Sequence, residues 1–296
     1  MATKTKLKKP LTWIYPKGIE IQYQRALNNV VRQWEQVAKN TIIPALPSIV
    51  DSANAQKKPI ASDIKTDDWV DDTNDIVSDY QTLLVGLTPL LPPLIQQTGS
   101  NISIFNLRQW RKIVRHSLNI DIFNQEPWLS AHISAFVTEN VSLIKKLQDQ
   151  TTEDIREIIT RGVKQGKRHE TIAQEILNGT DLQKGVFRKT KTRAKLIARD
   201  QVNKLNGQLQ QLRQTDIGIT RYIWQTSRDE RVRSSHRAMD TRSCVWHNSS
   251  VYIGSDNKHH SRSGIGGVES HPGQPIQCRC NASPDFSSIK DLDLLI

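Results

Sequence analysis

The 296-residue chain has little of several things that would assign a protein to a class. Its three cysteines cannot build a disulfide framework, because an odd number cannot pair completely and all three lie after residue 243. Cysteines used so sparingly suit the reducing cytosol, or a particle that is assembled in it. Aromatic residues make up 6% and apolar residues 36% of the chain. We therefore expect an elongated or partly partner-dependent protein rather than one compact core.

Long hydrophobic runs are scarce as well. The most apolar stretch, residues 83–95, contains one glycine and three prolines and is shorter than the roughly 20 residues that a bilayer span needs. We therefore predict no membrane span. The basic segment at residues 1–9 is not followed by the apolar region of a signal peptide. Phosphate-binding loops, dinucleotide-binding glycine motifs and nucleophile elbows do not occur in the sequence, which argues against several large enzyme classes.

Positive charge is what the sequence has in excess. Its 41 Lys and Arg residues exceed the 30 Asp and Glu residues, for a net charge of +11, which favours an acidic partner such as nucleic acid. Nine positive side chains, the last of them Arg213, lie between residues 184 and 213, where Asp200 is the only acid. An apolar stripe there predicts a helix whose basic face either contacts phosphates or is simply solvated. The candidate nucleic-acid contacts are Lys184, Arg188, Lys189, Lys191, Arg193 and Lys195.

Apolar periodicity predicts that most of the chain is helical. A helix over residues 19–40 and another from about Trp69 are expected to pack as an antiparallel hairpin. Pro44 and Pro47 are expected to end the first helix, with a polar loop at 48–68. A second break is predicted at 89–100. Further helices are predicted at 102–118, at 128–147, from Thr152 onward and at 169–177. The last pair could read DNA as a helix-turn-helix, but an ordinary hairpin fits better because base-reading side chains are lacking.

The pattern changes after Gly218. Residues 220–225 alternate and predict a strand, and residues 251–253 predict a second. The predicted fold class is α+β, with a predominantly helical, elongated N-terminal body and a small mixed α+β C-terminal module. The predicted divisions are a flexible basic arm (1–18), a helical docking domain (19–148), a second helical part (149–217) and the α+β module (218–296).

The C-terminal module holds the residues with metal-binding chemistry. His236, Cys244, Cys278 and Cys280 form a set that a tetrahedral zinc accepts, and binding would stabilise a module with few strands. The spacing is unusual, since Cys-x-Cys is tighter than the common Cys-x-x-Cys and the four residues are spread over 45 positions. Two alternatives stay open: the cysteines are small buried residues, or Cys244 pairs with one of the others under oxidation.

Catalysis is a competing interpretation of this module. Asp229 and His236 lie seven residues apart, and with a zinc they could serve a nuclease-like hydrolysis. Four protein ligands would close the metal to a substrate, however, and no second set of carboxylates or histidines repeats the pair. We favour a structural motif made of Asp229, Arg231, Arg233 and His236, in which Asp–Arg hydrogen bonds orient the following helix.

Three segments carry a recognisable combination. They are Ala198-Arg-Asp-Gln-Val-Asn, the run Arg-Asp-x-Arg-Val-Arg-x-x-His ending at His236, and Pro-Gly-Gln-Pro-Ile-Gln-Cys-Arg-Cys at 272–280. Together they resemble the Mu F-like minor head protein family of tailed phages, whose members are also described as head morphogenesis proteins. The resemblance covers roughly residues 150–282. Family members often carry Asp-Gly shortly after the histidine, where this chain has Asp240-Thr241, so a tight turn there is not assured.

The resemblance implies a non-enzymatic protein, and no catalytic residues carry over because the family has no agreed activity. We expect no required cofactor; the structural zinc considered above stays one of the open alternatives. Such proteins are low-copy capsid components at the portal vertex, needed for head assembly or for DNA packaging and delivery. The implied partners are the portal protein, a major capsid or scaffold protein, and phage DNA bound without sequence specificity. The implied location is the virion head near the portal, and the host cytoplasm during assembly.

Overall fold

The computed structural model describes residues 8–56, 68–122 and 125–289 of the chain. The helices in these ranges are α1 (Lys17–Asn40), α2 (Ile42–Gln56), α3 (Asp68–Val85), α4 (Leu91–Leu118), α5 (Leu129–Lys164), α6 (His169–Leu177), α7 (Val186–Asp216) and α8 (Ser234–Arg237). The strands are β1 (Arg221–Gln225), β2 (Ser243–Val245), β3 (Asn248–Ile253), β4 (His259–Ser261) and β5 (Asn281–Pro284). A helical first part followed by a small sheet confirms the predicted α+β class.

The chain forms two compact units. Among the described residues, the sheet unit contains those up to Ile21, those from Gln96 to Phe136 and those from Arg199 onward. The helical unit contains Gln22 to Ile95 and Val137 to Ala198. The boundary predicted at residue 148 falls inside the continuous helix α5 and not at the end of a structural element. None of the helices in the described ranges combines the length and apolarity that crossing a membrane requires.

In the helical unit, α1 and α3 touch through buried aromatic residues, but they do not form the predicted two-helix hairpin, because α2 lies between them in the chain and packs against α3. Trp34 and Tyr80 are fully buried, and the Tyr80 hydroxyl donates to the Trp34 carbonyl at 3.2 Å. The Tyr23 hydroxyl donates to Asn140 of α5 at 2.9 Å, so the burial of this aromatic side chain does not leave its polar atom without a partner.

Helix α2 occupies a segment that was predicted to be a loop. Pro44 falls in the first turn of α2, where a backbone N–H has no helical partner, so it costs no hydrogen bond. Pro47 lies inside the helix and does remove one. Burial of Ile42, Leu46 and Ile49 outweighs that loss. The prediction of a loop is therefore wrong over residues 48–56, while 57–67 lie outside the described residues.

Two long helices replace predicted breaks. Helix α4 begins at Leu91 with Pro92 and Pro93 in its first turn, so the break predicted at 89–100 is confined to its start. Helix α5 continues through Thr152, which was predicted to begin a new helix. The Thr152 hydroxyl instead donates to the Gln148 carbonyl four residues earlier, at 3.1 Å, so its polar atom has a partner within a continuous helix. Helix α6 has the predicted bounds.

In the sheet unit, the N-terminal segment from residue 8 packs into the core. Trp13 is 3% exposed and stacks on Trp110 of α4, with ring centroids 6.2 Å apart and planes parallel within 1°. Trp110 stacks in turn on Phe286, also at 6.2 Å. The predicted flexible arm is therefore wrong over 8–18, because the indole of Trp13 gains more by burial than by solvation. Residues 1–7 of that arm lie outside the described residues.

The sheet is antiparallel throughout, in the order β4-β3-β2-β1-β5. The two predicted strands correspond to β1 and β3. Tyr222 and Trp224, two residues apart, lie on the same face of β1 and are fully buried. Tyr222 lies opposite Cys244 of β2, and Trp224 lies opposite Ala282 of β5. On this face, Tyr222 and Trp224 belong to one buried cluster with Cys244, Cys278 and Cys280.

Candidate metal centre

One histidine and two cysteines converge in the sheet unit. The Nδ1 atom of His236 lies 3.4 Å from the Sγ atom of Cys280 and 3.6 Å from that of Cys278. The three candidate ligand atoms all lie within 4.8 Å of one another, and the residues are between 2% and 4% exposed. The two sulfurs belong to free cysteines and not to a disulfide.

Strand β1 positions both sides of this cluster. His236 lies on α8, and its ring meets Trp224 of β1 edge-on, with centroids 5.8 Å apart and an interplanar angle of 86°. Cys278 and Cys280 come directly before β5, which pairs with β1 along Tyr222 to Gln225. The buried pairing of β1 with β5 therefore brings the cysteines to the histidine.

Cys244 is not part of the cluster, so the predicted four-residue set is wrong in its fourth member. It lies on β2 opposite Tyr222, two residues along β1 from Trp224. Its thiol donates to the Arg242 carbonyl at 3.7 Å. Burial raises the pKa of Cys244 to about 11, so it is a protonated thiol at neutral pH. In this position it is one of the small buried residues that the sequence left as an alternative.

The two clustered thiols differ in their readiness to lose a proton. The hydrogen bond between them lowers the pKa of Cys278 and raises that of Cys280, and burial adds to the second effect. The backbone N–H of Cys280 also donates to the Cys278 sulfur at 3.4 Å, as does the backbone of Gly273. Donors aimed at a sulfur favour its thiolate, so negative charge is best accommodated on Cys278.

The two later sequence motifs are joined through Asp229. Its carboxylate accepts from the Arg279 guanidinium at 2.7 and 3.0 Å, and from the backbone N–H of Arg231 at 3.1 Å. Arg279 is the residue between the two cysteines. The Arg233 side chain donates to the Ile276 carbonyl. The predicted ion pair of Asp229 with an arginine is therefore formed with Arg279. Asp229 contacts Arg231 only through the Arg231 backbone N–H.

Helix α7 holds the cysteine loop from the other side. The backbone N–H of Gln277 donates to Asp200 at 2.8 Å, and the Asn203 amide donates to the Gly273 carbonyl at 3.3 Å. Gly207 permits this contact, because a Cβ atom there would lie 2.6 Å from the Pro272 carbonyl oxygen. Asp200 and Asn203 belong to the first of the three motif segments, so all three segments meet at one place.

The tight turn after His236 is present despite the missing glycine. Thr241 adopts φ +65°, a left-handed conformation that disfavours a β-branched residue. Its N–H donates to the Trp224 carbonyl at 2.8 Å, and Asp240 accepts from the backbone N–H of Thr226 at 2.9 Å. These bonds fix the turn that follows α8, at the cost of backbone strain.

A pocket of about 470 Å³ opens onto the cluster. Its walls combine the cluster residues His236, Cys278 and Cys280 with the arginines Arg199, Arg231, Arg233 and Arg279. Arg279 is neutralised by Asp229, and Arg199 lies 3.5 Å from Glu20. The Arg231 side chain is exposed, so the pocket carries positive charge beside a group of potential metal ligands.

A second polar network, which the sequence did not indicate, supports the far end of β1. Arg262 is fully buried and donates to the carbonyls of Val251 and Ser270 at 2.9 and 2.7 Å and to the Tyr222 hydroxyl at 3.0 Å. Since an arginine only donates, the Tyr222 hydroxyl gives its own proton to Nδ1 of His271, 2.9 Å away. Burial and the Arg262 charge lower the pKa of His271 to about 4, so this histidine is neutral. Arg262 lies in a Ser-Arg-Ser-Gly stretch that is typical of an exposed loop, so the sequence does not predict that its side chain is buried.

The six predicted nucleic-acid contacts all belong to the helical unit and differ in how free their charges are. Lys184, Arg188 and Lys195 are exposed. Lys189 is half-buried, whereas Lys191 pairs with Glu35 at 2.7 Å and Arg193 pairs with Asp154 at 3.2 Å. Helix α7 begins only at Val186, so Lys184 precedes it.

Arg213, counted with the basic stretch, does not belong to an exposed face. It is fully buried in the sheet unit and pairs with Glu126. An additional basic face was missed on α4, where Arg108, Arg111 and Lys112 are exposed at helical spacing. That spacing of three and four residues was the available signal.

Comparison with known proteins finds a match that includes the three motif segments. A protein of Haemophilus influenzae described as uncharacterized is 28% identical over 174 residues, which are 58% of this chain and 34% of that protein. The chain thus spans about a third of the length of this relative. No solved structure matches. Residues 153–283 match the family model described as Phage Mu protein F like protein, which confirms the resemblance to that family carried by the three motifs.

Proposed function

We propose that the protein is a minor head protein of a tailed phage, which acts in head assembly at the portal vertex and in DNA packaging or delivery. The observation that carries the proposal is the Mu F-like match over residues 153–283, because that segment contains all three motifs and the cluster they build. The proposed partners are the portal protein and a major capsid or scaffold protein, and the proposed location is the virion head near the portal.

The proposed role is non-enzymatic. Asp229 is the carboxylate that a nuclease-like mechanism would use, and both of its oxygens are held by Arg279. A carboxylate whose two oxygens both contact an arginine nitrogen is a poor base for activating water. The other motif acid, Asp200, accepts a backbone hydrogen bond and pairs with Lys204 at 3.1 Å. These contacts support a scaffold that holds a loop in place rather than a set of reacting groups.

Association with heads provides the first test. The chain is tagged in the phage genome, and proheads and mature heads are purified after induction and probed by immunoblotting and by crosslinking to portal protein. We expect the tagged chain in both particles and crosslinked to portal. An Arg279→Ala variant, which frees Asp229, should incorporate poorly, whereas a variant at the exposed Arg32, Arg32→Ala, should incorporate normally. Absence of the wild-type chain from both particles would refute the proposal.

Non-specific DNA binding is proposed for the exposed cations before and along the start of α7. A Lys184→Gln/Arg188→Gln/Lys195→Gln variant should bind duplex DNA more weakly, with a dependence of log affinity on log salt that is shallower by up to about 3, because each phosphate contact releases about one counterion. Fluorescence anisotropy over a salt series measures this. The matched control changes Arg108, Arg111 and Lys112 on α4 to Gln. A larger loss of DNA affinity in this α4 variant than in the α7 variant would indicate that DNA binds at α4 instead.

Enzymatic activity is tested on the same purified protein. Duplex and single-stranded DNA are incubated with the chain and with Mg²⁺, Mn²⁺ or Zn²⁺, and we expect no cleavage above that of an Asp229→Asn variant. Cleavage by the wild type that disappears in Asp229→Asn would contradict the non-enzymatic role and favour the nuclease interpretation.

A further inference from the structure

We propose that His236, Cys278 and Cys280 bind one zinc ion, and that the fourth coordination position of this ion opens into the arginine-lined pocket. The site is independent of the proposed head function, which does not require a metal. It differs from the site expected from the sequence in having three protein ligands instead of four.

The two separations between His236 and the cysteine sulfurs are those of a tetrahedral zinc site. Zinc bonds of about 2.3 Å to sulfur and about 2.0 Å to nitrogen, at a tetrahedral angle, place a sulfur and a nitrogen ligand about 3.5 Å apart. The two observed separations from His236 Nδ1, 3.4 and 3.6 Å, lie on either side of this value. Sulfur and imidazole ligands select zinc over magnesium and calcium, which prefer oxygen.

The surroundings hold the ligands in place. Trp224 fixes the ring of His236 by an edge-on contact, and the pairing of Arg279 with Asp229 fixes the residue between the two cysteines. With Arg279 directed to Asp229, both flanking thiols reach His236, which explains why Cys-x-Cys spacing suffices. The backbone N–H of Cys280 donates to the Cys278 sulfur, a contact that stabilises a metal-bound thiolate.

Three protein ligands leave one position for a ligand from solution. Cys244, the remaining cysteine, lies on β2 opposite Tyr222 and is no part of the group. All three ligand residues line the pocket, so the free position faces it. Zinc with two thiolates and a neutral imidazole has no net charge, so Arg231 and Arg233 keep the pocket positive. The ligand class that suits this position is therefore a water or a small oxyanion such as inorganic phosphate.

Metal content of the purified full chain is the first test, measured by elemental analysis after expression with zinc. We expect about one zinc per chain in the wild type and in Cys244→Ser, whose buried thiol is the matched control. Cys278→Ser and Cys280→Ser should fall at least tenfold in zinc content. A wild type without zinc, or an equal loss in Cys244→Ser, would overturn the proposal.

Ligand variants can also lose metal by unfolding, so the wild type is tested without mutation. Metal-free protein, kept reduced, is titrated with Zn²⁺ while the melting temperature is recorded. We expect saturation at one equivalent and a higher melting temperature. No uptake, or a Cys278–Cys280 disulfide detected by intact mass in freshly purified protein, would overturn the site.

The open position is tested with cobalt in place of zinc. Tetrahedral Co²⁺ bound to thiolates has visible absorption bands that respond to a change of ligand. Adding inorganic phosphate should shift these bands in the wild type, and an Arg231→Gln/Arg233→Gln variant should need at least several-fold more phosphate for the same shift. Bands that do not respond to phosphate in the wild type would show a closed site and refute the pocket-facing position.

Discussion

Replacing Arg213 with methionine should destabilise the sheet unit severely. The Arg213 guanidinium is fully buried and binds both oxygens of Glu126, at 2.6 and 2.8 Å. It also donates to the Asn106 side chain at 2.6 Å and to the Ser103 hydroxyl and carbonyl at 3.0 and 3.3 Å. Methionine fills most of the volume and supplies none of these hydrogen bonds.

The expected cost follows from what is left behind. Removing one partner of a buried ion pair costs about 3–5 kcal/mol, since the other charge stays buried without compensation. Glu126 is 9% exposed and can regain some hydration. We therefore expect a loss near the lower end, about 3 kcal/mol in the free energy of unfolding. Urea unfolding followed by tryptophan fluorescence measures it.

A double variant tests the reasoning. Arg213→Met combined with Glu126→Gln removes the unpaired charge and should recover at least about 1 kcal/mol relative to Arg213→Met alone. DNA affinity, measured on folded protein, should not change, because Arg213 is not exposed. A single variant as stable as the wild type would refute the buried ion pair, and a lower DNA affinity with unchanged stability would return Arg213 to the basic face.

Three further perturbations follow from the described contacts. The pKa of His271 is about 4 in the folded chain and about 6.5 in the unfolded chain, so the unfolded chain binds the proton first as the pH falls. The contribution of neutral His271 to the free energy of unfolding is therefore fully present above pH 6.5 and should fall by up to about 3 kcal/mol toward pH 4. Urea unfolding measures this loss, which should be smaller in His271→Gln. Thr241→Gly should stabilise the protein by about 0.5–1 kcal/mol in the same assay, since glycine relieves the left-handed strain at φ +65°. Gly207→Ala should cost about 1–3 kcal/mol and reduce zinc content, because its Cβ would meet the Pro272 carbonyl at 2.6 Å.

Each of these has an outcome that contradicts it. An identical pH dependence in wild type and His271→Gln would mean that another group is responsible. A destabilised Thr241→Gly would mean that the threonine side chain makes a contact worth more than the strain. A Gly207→Ala variant with normal stability and normal zinc would mean that the cysteine loop does not need its close approach to α7.

Local patterns were enough to predict the α+β class, helices α1 and α6, and the strands β1 and β3. These elements have a clear period of buried residues and clear ends: Gly179, for example, ends the segment after α6 with φ +90°. The pattern does not predict helix α2, because proline commonly stops a helix, whereas Pro44 lies in a first turn where it is tolerated. The start predicted at Thr152 failed because a threonine within a helix and a threonine at its cap look alike in sequence.

The sequence predicts the types of residue in the candidate site, histidine and cysteine, but not which of the cysteines belong to it. Cysteine and histidine identify potential metal ligands by residue type, and three of the four predicted ones converge. Whether Cys244 joins them depends on strand register, since pairing with Tyr222 rather than Trp224 moves its thiol away from His236. Register across strands that are distant in sequence is not encoded by any local pattern.

The sequence does not show which positive charges are exposed. Composition treats every arginine as surface, yet two of the largest fully buried side chains are Arg213 and Arg262. The acid that pairs with Arg213 lies 87 residues away, and Asp229 lies 50 residues from Arg279, so only the folded chain brings these groups together. A buried arginine contributes to net charge and nothing to an exposed basic face. The net charge of +11 therefore overstates the free basic surface, and the DNA hypothesis concerns the exposed cations at 184–195 and on α4 rather than the whole basic stretch.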